Sequence, residues 1–446
     1  MDSEGTIEPA VRTFHVIRSD TVAEPPPSGR LSISMRRSAL GLGLLTAIGL
    51  FAVDMYLPVL PAIGADLRTG SDAVQATLMV FLITLGAGQL IAGPLSDIYG
   101  RKRTLYVGLI AFIIGSIGCA AASTIAILIA FRMVQALGAC AVMVIPRAVV
   151  RDLYTGPSAA QLMSLIATVY SVSPILAPLA GGLVAETAGW RGVFGTMSAL
   201  AAICLVWVSL GFAETRPQAA RSGGELRTVL TGYRVLLGDR QFIGLALIAS
   251  LTLAGWFIYA ANSPFVIGEH FGLSPRLYAV LFALNSVSFV AASQFSARLA
   301  TRFGLTRLVR GAAIGHFVTM GLMLLLTLAG VDRLVVLVVL LFVGFGLNGV
   351  IVPSTFVLAM GGNPAYAGTA SALIGTLNFA GGAAAVALVA PFAHATPLPM
   401  AAGMAACSFI VFALGMVILR PGKLASNPAS WDGERPTARR SATMRS

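Results

Sequence analysis

Apolar stretches of about twenty residues recur along the chain, and short polar segments separate them. A helix of that length matches the hydrocarbon core of a bilayer. Lipid cannot satisfy the free backbone groups of a loop or an open sheet, so each stretch must be helical. Twelve such stretches are present. The pattern therefore predicts an all-α integral membrane protein with twelve transmembrane helices.

The longest internal polar segment divides these helices into two groups of six. The predicted helices lie near residues 38–60, 73–95, 104–122, 125–148, 160–185, 193–213, 242–266, 276–299, 308–329, 333–359, 367–391 and 397–419. The predicted units are an N-terminal tail (1–37), a first six-helix half (38–213), a linker (214–241), a second half (242–419) and a C-terminal tail (420–446). Two similar halves in one chain are typical of secondary transporters.

The composition agrees with a membrane protein and changes how the charge is interpreted. Only 11% of the 446 residues are charged, against about 25% in a soluble domain. The net charge of +12 would suit a nucleic-acid-binding protein, but about 25 of the 30 Lys and Arg residues fall on one side of the predicted membrane. That bias is the positive-inside rule, which places both termini in the cytoplasm. We expect no nucleic-acid partner.

Cysteine and histidine patterns predict neither a metal site nor catalytic chemistry. The four cysteines all lie in apolar stretches without metal-ligand spacing. Phosphate-binding Gly-Lys-Ser/Thr and nucleophile-elbow Gly-x-Ser-x-Gly motifs do not occur in the sequence. We therefore expect a protein that is not an enzyme and that needs no cofactor.

A charged segment, Gly93-Pro-Leu-Ser-Asp-Ile-Tyr-Gly-Arg-Lys-Arg103, interrupts the apolar pattern between the second and third helices. We expect a tight loop here, with Gly93 and Gly100 supplying the conformational freedom that a turn needs. The alternative is an ordinary charged loop at the membrane edge. The residues expected to form a cytoplasmic gate are Gly93, Asp97, Gly100, Arg101, Lys102 and Arg103, together with Asp152 at the end of the fourth helix.

Two charged residues are predicted to lie within the hydrocarbon, Asp54 in the first helix and Arg132 in the fourth. Charges at such depth are costly and by default functional, so Asp54 is the candidate proton carrier. Counted from the outer helix ends, Asp54 lies roughly 9 Å deep and Arg132 roughly 12 Å deep, so the two could pair across a cavity. The alternatives are an interfacial acid that reaches water and an arginine with a purely structural role.

Other residues inside the predicted helices are candidates for substrate contacts or for close packing. Polar or aromatic residues that could line a cavity are Tyr56, Gln89, Gln135, Tyr259, Asn262 and Asn285. In the fifth helix, Pro174, Pro178, Gly181 and Gly182 favour bending and close helix contact. Most single polar residues of this kind only join neighbouring helices.

The motifs together resemble those of a known family. Gly93 to Arg103 is similar to the loop between helices two and three of the major facilitator superfamily. Further motifs resemble the Bcr/CflA subfamily of twelve-helix drug–proton antiporters, which export bicyclomycin, chloramphenicol and florfenicol. They are Asp54-Met-Tyr-Leu-Pro58 with Pro61, Gln89, Arg132 with Gln135, Arg151-Asp152, and Gly189-Trp-Arg191. The fifth-helix motif matches only in part, and Ala136 replaces the usual Gly after Gln135.

The resemblance implies a transporter that works by alternating access and is driven by the proton gradient. We expect export of small, largely apolar compounds by a monomer in the bacterial inner membrane, with Asp54 and Arg132 coupling protons to substrate. A proton-coupled transporter of a specific metabolite such as a nucleoside, working in either direction, would show the same motifs. A membrane enzyme or a non-transporting sensor is the remaining alternative.

Overall fold

The computed structural model describes residues 33–154, 156–215, 225–362, 366–392 and 396–419, and within these ranges it contains helices and no β-strand. Most of both predicted tails and the first part of the linker lie outside the described residues. The helices are α1 (Ile33–Asp54), α2 (Leu60–Asp66), α3 (Ser71–Tyr99), α4 (Arg101–Ala120), α5 (Ile125–Leu153), α6 (Gly156–Gly211), α7 (Glu225–Gly238), α8 (Arg240–Phe265), α9 (Pro275–Phe303), α10 (Leu305–Leu328), α11 (Leu334–Gly361), α12 (Ala367–Val389) and α13 (Pro397–Ile418).

Eleven helical segments in the described ranges are long and apolar enough to cross a membrane, and one of them is long enough to cross twice. That segment, Gln161–Gly211, has 51 residues. At about 1.5 Å per residue it extends roughly 77 Å, more than twice the roughly 30 Å of hydrocarbon. Gly189, with φ 67° and ψ −172°, breaks its helical geometry between the two predicted spans. The prediction of an all-α membrane protein with twelve spans is confirmed.

The first span ends earlier than expected, and the reason is local. α1 stops at Asp54, and a 3₁₀ turn at Leu57–Val59 leads into the short helix α2. Pro58 and Pro61 have no backbone N–H and so cannot continue the hydrogen-bond ladder. The chain after Asp54 therefore reorients at this end of the span while remaining buried.

The charged segment between α3 and α4 is not the loop that the sequence predicted. α3 continues through Gly93 to Tyr99, and α4 begins at Arg101. Gly93 is thus helical, and the expectation that it supplies a turn was wrong. Gly100 alone makes the turn, with φ 96° and ψ 154°. Gly304, with φ 79° and ψ 141°, makes the equivalent turn between α9 and α10.

The linker contains a helix that the sequence analysis missed. α7 spans Glu225–Gly238, and only Asp239 separates it from α8. The sequence analysis interpreted residues 214–241 only as a polar linker and predicted no helix in it. The apolar residues of α7 nevertheless recur at helical spacing, which is the signal that could have found it.

The two halves meet along α3 with α12 and along α6 with α9, while α1 and α8 are buried centrally. Thr376 Oγ1 on α12 donates a hydrogen bond to the Gly86 carbonyl on α3, at 2.9 Å. Gln75 Nε2 on α3 donates to Asn262 Oδ1 on α8, at 3.3 Å. These polar contacts cross the interface at which alternating access would occur.

Replacing the turn glycine tests this account of the α3–α4 connection. Gly100→Ala should destabilise the protein by about 1–3 kcal/mol, because a side chain is strained at this backbone conformation. Gly93→Ala is the matched control. A Cβ there meets only Val144 Cγ1 at 3.9 Å, and alanine favours helix. Thermal unfolding in detergent measures both. Equal melting temperatures for the two variants would contradict the assignment of the turn to Gly100.

Candidate functional site

Asp54 is the last residue of α1 and lies at the interface between the halves. Its residue surface is 5% exposed. Within the described ranges no Lys, Arg or His forms an ion pair with it, and the expected pair with Arg132 is not formed in this conformation. Across the interface, Tyr278 of α9 lies within electrostatic range of its carboxyl group. The Asp54 carboxyl group is therefore almost fully shielded from solvent in this conformation.

Arg132 is held by aromatic rings and neutral oxygens. Its guanidinium carbon lies 4.3 Å from the ring centroid of Tyr56 and 4.1 Å from that of Phe81. Nη1 donates hydrogen bonds to the Ala52 carbonyl at 3.0 Å and to Gln135 Oε1 at 2.7 Å. Because Ala52 is two residues from Asp54, Arg132 anchors the end of the helix that carries the acid. Its Nε and Nη2 atoms have no protein partner among the described residues.

Gln135, one of the candidates for lining a cavity, hydrogen-bonds to Arg132 and so supports this anchor. Its Nε2 atom donates to Ser116 Oγ on α4 at 2.8 Å, while its Oε1 atom accepts from Arg132. The side chain is fully buried within the first half. Tyr56 has a similar supporting role, because its hydroxyl pairs with Thr77 Oγ1 at 2.7 Å while its ring contacts Arg132.

The Gly-Trp-Arg motif joins helix ends at the opposite end of the first half from Gly100. Asp66 Oδ2, at the end of α2, accepts from Trp190 Nε1 at 3.1 Å and from Arg191 Nη1 at 2.6 Å. Arg191 Nη2 also donates to the Ala122 carbonyl, at 3.2 Å. The break at Gly189 positions both side chains to reach α2. The motif therefore joins the α2 end, the α4–α5 connection and the start of the sixth span.

The fifth-span glycines lie where α6 meets both α1 and the second half. A Cβ on Gly181 would collide with the Met55 carbonyl, directly after Asp54. A Cβ on Gly182 would crowd Pro275 and Ala279 of α9. The predicted close packing is therefore present, and it occurs beside the buried acid. Pro174 and Pro178 lie within α6 without ending it.

A cluster of hydroxyl and amide groups lies on the second half, on the side that contains Tyr278. Asn285 Nδ2 donates to the Tyr259 hydroxyl at 3.0 Å, and Ser263 Oγ pairs with the Tyr278 hydroxyl at 3.2 Å. Asn285 Oδ1 is buried without a partner among the described residues. Sequence reasoning named Tyr259 and Asn285 but missed Ser263 and Tyr278. Of the other expected lining residues, Asn262 pairs with Gln75, and Gln89 lies against Gly375 of α12.

A buried arginine organises the end of the first half at which α3 and α5 end and α4 begins. Arg101 Nη1 lies 2.6 Å from Asp97 Oδ1, and Nε lies 2.8 Å from Asp152 Oδ2. Nη1 also donates to Ser96 Oγ, at 2.5 Å. The Arg101 side chain is 3% exposed, so these interactions are less screened than those of a surface ion pair.

Two residues that the sequence analysis missed complete this network. Glu214, beyond the end of α6, accepts from the backbone N–H of Arg101 at 2.9 Å and of Lys102 at 3.2 Å. A carboxylate at that position satisfies free donors of the first turn of α4 and complements the helix dipole. Thr215 Oγ1 donates to Asp152 Oδ2 at 3.2 Å. The network therefore ties together α3, α4, α5 and the end of α6.

Comparisons with known proteins agree with this architecture. A family model described as Major Facilitator Superfamily matches residues 42–386. The chain belongs to the major facilitator superfamily. It is 33% identical over 380 residues to an uncharacterized MFS-type transporter, YdgK, of Bacillus subtilis (strain 168), covering 85% of this chain and 93% of that one.

Two further similarities place this major facilitator protein among its relatives. It is 30% identical over 382 residues to a bicyclomycin resistance protein homolog of Haemophilus influenzae, covering 83% of this chain and 93% of that one. A crystal structure of a mutant of the nucleoside transporter NupG aligns with a TM-score of 0.69 at 13% identity, covering 86% of this chain and 100% of that one. The second similarity shows the fold alone. The predicted superfamily membership is confirmed.

Alanine substitutions at Arg101 and Arg103 test whether the ion pairs and hydrogen bonds of Arg101 stabilise the protein. Arg101→Ala should destabilise the protein by about 1.5–3 kcal/mol, because Asp97 and Asp152 lose a charged hydrogen-bond partner. Arg103→Ala is the control, since Arg103 is exposed on the same turn and surface changes cost within about 0.5 kcal/mol. Thermal unfolding in detergent compares them. Similar melting temperatures for the two variants would show that the network contributes no stability.

Proposed function

We propose that this major facilitator protein exports small, largely apolar toxic compounds in exchange for protons. The single observation that carries the proposal is Asp54, a buried carboxyl at the interface between the halves with no basic partner among the described residues. Burying an ionised carboxylate without a partner is costly. Protonation removes that cost, so proton binding and closure of the halves around Asp54 become coupled.

The remaining residues of the site have supporting roles in this scheme. Arg132 fixes the end of α1 through Ala52 and thereby positions the acid. On the opposite half, the Tyr278 hydroxyl, which pairs with Ser263 Oγ, lies within electrostatic range of the carboxyl group. The Arg101 network joins cytoplasmic helix ends and is the proposed gate. The proton gradient is the energy source, and no cofactor is required.

The chemical class of the substrate follows from the relatives and from the site. The Haemophilus influenzae relative is named for bicyclomycin resistance and is covered over 93% of its length. Tyr259, a candidate for lining the cavity, is surrounded by the rings of Trp256, Phe282 and Phe345. An aromatic environment of this kind suits apolar compounds that carry a few hydrogen-bonding groups.

A growth panel tests export and its dependence on Asp54. Cells expressing the protein should tolerate some toxic compounds better than cells without it. Asp54→Asn should abolish that protection, because it removes the titrating group while keeping the side-chain shape. Asp66→Asn is the matched control, since Asp66 lies at the outer membrane edge, half-exposed, and bonds Trp190 and Arg191. Protection that persists in Asp54→Asn would exclude Asp54 as the proton carrier.

Everted membrane vesicles determine the direction of transport. With an imposed pH gradient, acid inside, the unsubstituted protein should accumulate a compound that the growth panel identified. Asp54→Asn should exchange that compound across the membrane but not accumulate it against a gradient, and Asp54→Glu should retain part of the accumulation. Proton-dependent uptake in the opposite direction would identify an importer instead.

The proposed location is the bacterial inner membrane, with both termini in the cytoplasm, and the proposed state is a monomer. The orientation rests on the excess of Lys and Arg at one membrane side. Cysteine labels introduced near Gly223 and in the C-terminal tail should react with a membrane-impermeant reagent only after the cytoplasmic face is exposed. Labelling of either position in intact spheroplasts would contradict the proposed orientation.

A further inference from the structure

α7 is a surface helix whose position is fixed by packing against two membrane spans. A Cβ on Gly232 would lie 3.0 Å from the Tyr366 ring and 3.1 Å from Thr369 Oγ1, so α7 crosses close to the start of α12. Leu236 is fully buried in a cluster that includes Phe242 of α8. One side of α7 is therefore part of the core of the second half.

The same contacts place α7 at the membrane edge. α8 begins its membrane span at Arg240, one residue after Asp239, which caps it by accepting from the N–H groups of Gln241 at 2.9 Å and Phe242 at 3.2 Å. The α12 span begins at Gly368, beside the Thr369 contact. Because α7 touches the first turns of both spans, it lies at the depth where they leave the hydrocarbon.

The other side of α7 combines exposed leucines with exposed arginine. Leu230 and Leu237 are each 59% exposed. They are seven residues apart and so share one side of the helix. Arg234 is exposed and falls about 40–60° around the helix from this pair. An apolar stripe beside a basic stripe is the pattern of helices that lie in a bilayer interface.

We propose that α7 binds anionic phospholipid, with Leu230 and Leu237 inserted into the adjacent leaflet and Arg234 and Arg240 at the headgroups. Leaflets that face the cytoplasm carry anionic lipid and attract basic residues close to the membrane. Arg240 is exposed at the α7–α8 junction and adds a second cation at the same level. Lipid binding of this kind does not depend on the substrate or on the direction of transport.

The proposed lipid site is mechanically linked to the interface between the halves. α7 packs on the first turn of α12 through Gly232. Further along α12, Thr376 donates to the Gly86 carbonyl of α3, and Gly375 lies against Gln89. Lipid bound at α7 would therefore hold the inner end of a helix that must move relative to α3 during alternating access.

Fluorescence quenching at two positions of α7 tests the proposal. Leu237→Cys and Val235→Cys are compared in the full-length protein, each labelled with an environment-sensitive dye and placed in nanodiscs. Val235 is the matched control, because it is apolar, 41% exposed and about 160° around the helix from Leu237. The four native cysteines are buried, and the unsubstituted protein gives the background labelling.

The expected result separates the two positions. In nanodiscs of phosphatidylcholine with phosphatidylglycerol, spin-labelled lipid should quench the dye at Leu237, and aqueous iodide should quench the dye at Val235. Removing phosphatidylglycerol should lower lipid quenching at Leu237 on the order of twofold, and Arg234→Gln combined with Arg240→Gln should make it independent of phosphatidylglycerol.

Three outcomes would overturn the proposal. Iodide quenching of both dyes alike would mean that α7 is surrounded by water. Lipid quenching at Leu237 that is the same with and without phosphatidylglycerol would show that anionic lipid is not the ligand. A dye at Leu237 that neither quencher reaches would indicate that a second copy of the chain or another protein covers this side.

Discussion

The cation–π contacts between Arg132 and the rings of Tyr56 and Phe81 fix the end of α1, and the position of Asp54 depends on them. A guanidinium in hydrocarbon requires compensation, and desolvated aromatic faces contribute up to about 2 kcal/mol each. Gln135 and the Ala52 carbonyl supply hydrogen bonds without supplying charge. Arg132 is thereby held without a carboxylate, which leaves Asp54 unpaired at the end of the helix that Arg132 anchors.

The two halves share a backbone plan but differ in their charges. Gly100 and Gly304 make the same one-residue turn between consecutive spans. Around Gly100, Asp97, Asp152 and Glu214 converge on Arg101 and on the start of α4, whereas Thr301 occupies the position equivalent to Asp97. The helix ends of the first half around Gly100 are therefore connected to one another. The second half instead presents α7 at the corresponding membrane side, where exposed Leu237 and Arg234 face outward.

Sequence reasoning recovered the features that depend on local composition. Apolar length predicted the spans, and the buried charge of Asp54 and Arg132 was visible as an interruption of that pattern. Features that depend on distant parts of the chain were not predictable. Glu214 caps α4 from 113 positions away, and Tyr278 approaches Asp54 only because α9 packs against α6 and against the Leu57–Val59 turn that follows α1. The helical state of Gly93 was missed because a glycine followed by proline suggests a turn, whereas the bilayer favours a continued helix.

Asp54 is proposed to be the group that gains and loses the transported proton. The protons released when substrate binds measure this role directly. Purified protein in a weakly buffered detergent solution is mixed with a compound that it transports, and a pH indicator records the protons released. The unsubstituted protein and Asp66→Asn should release protons in equal amounts, and Asp54→Asn should release none. Undiminished release from Asp54→Asn would contradict the account and place the transported proton on another group.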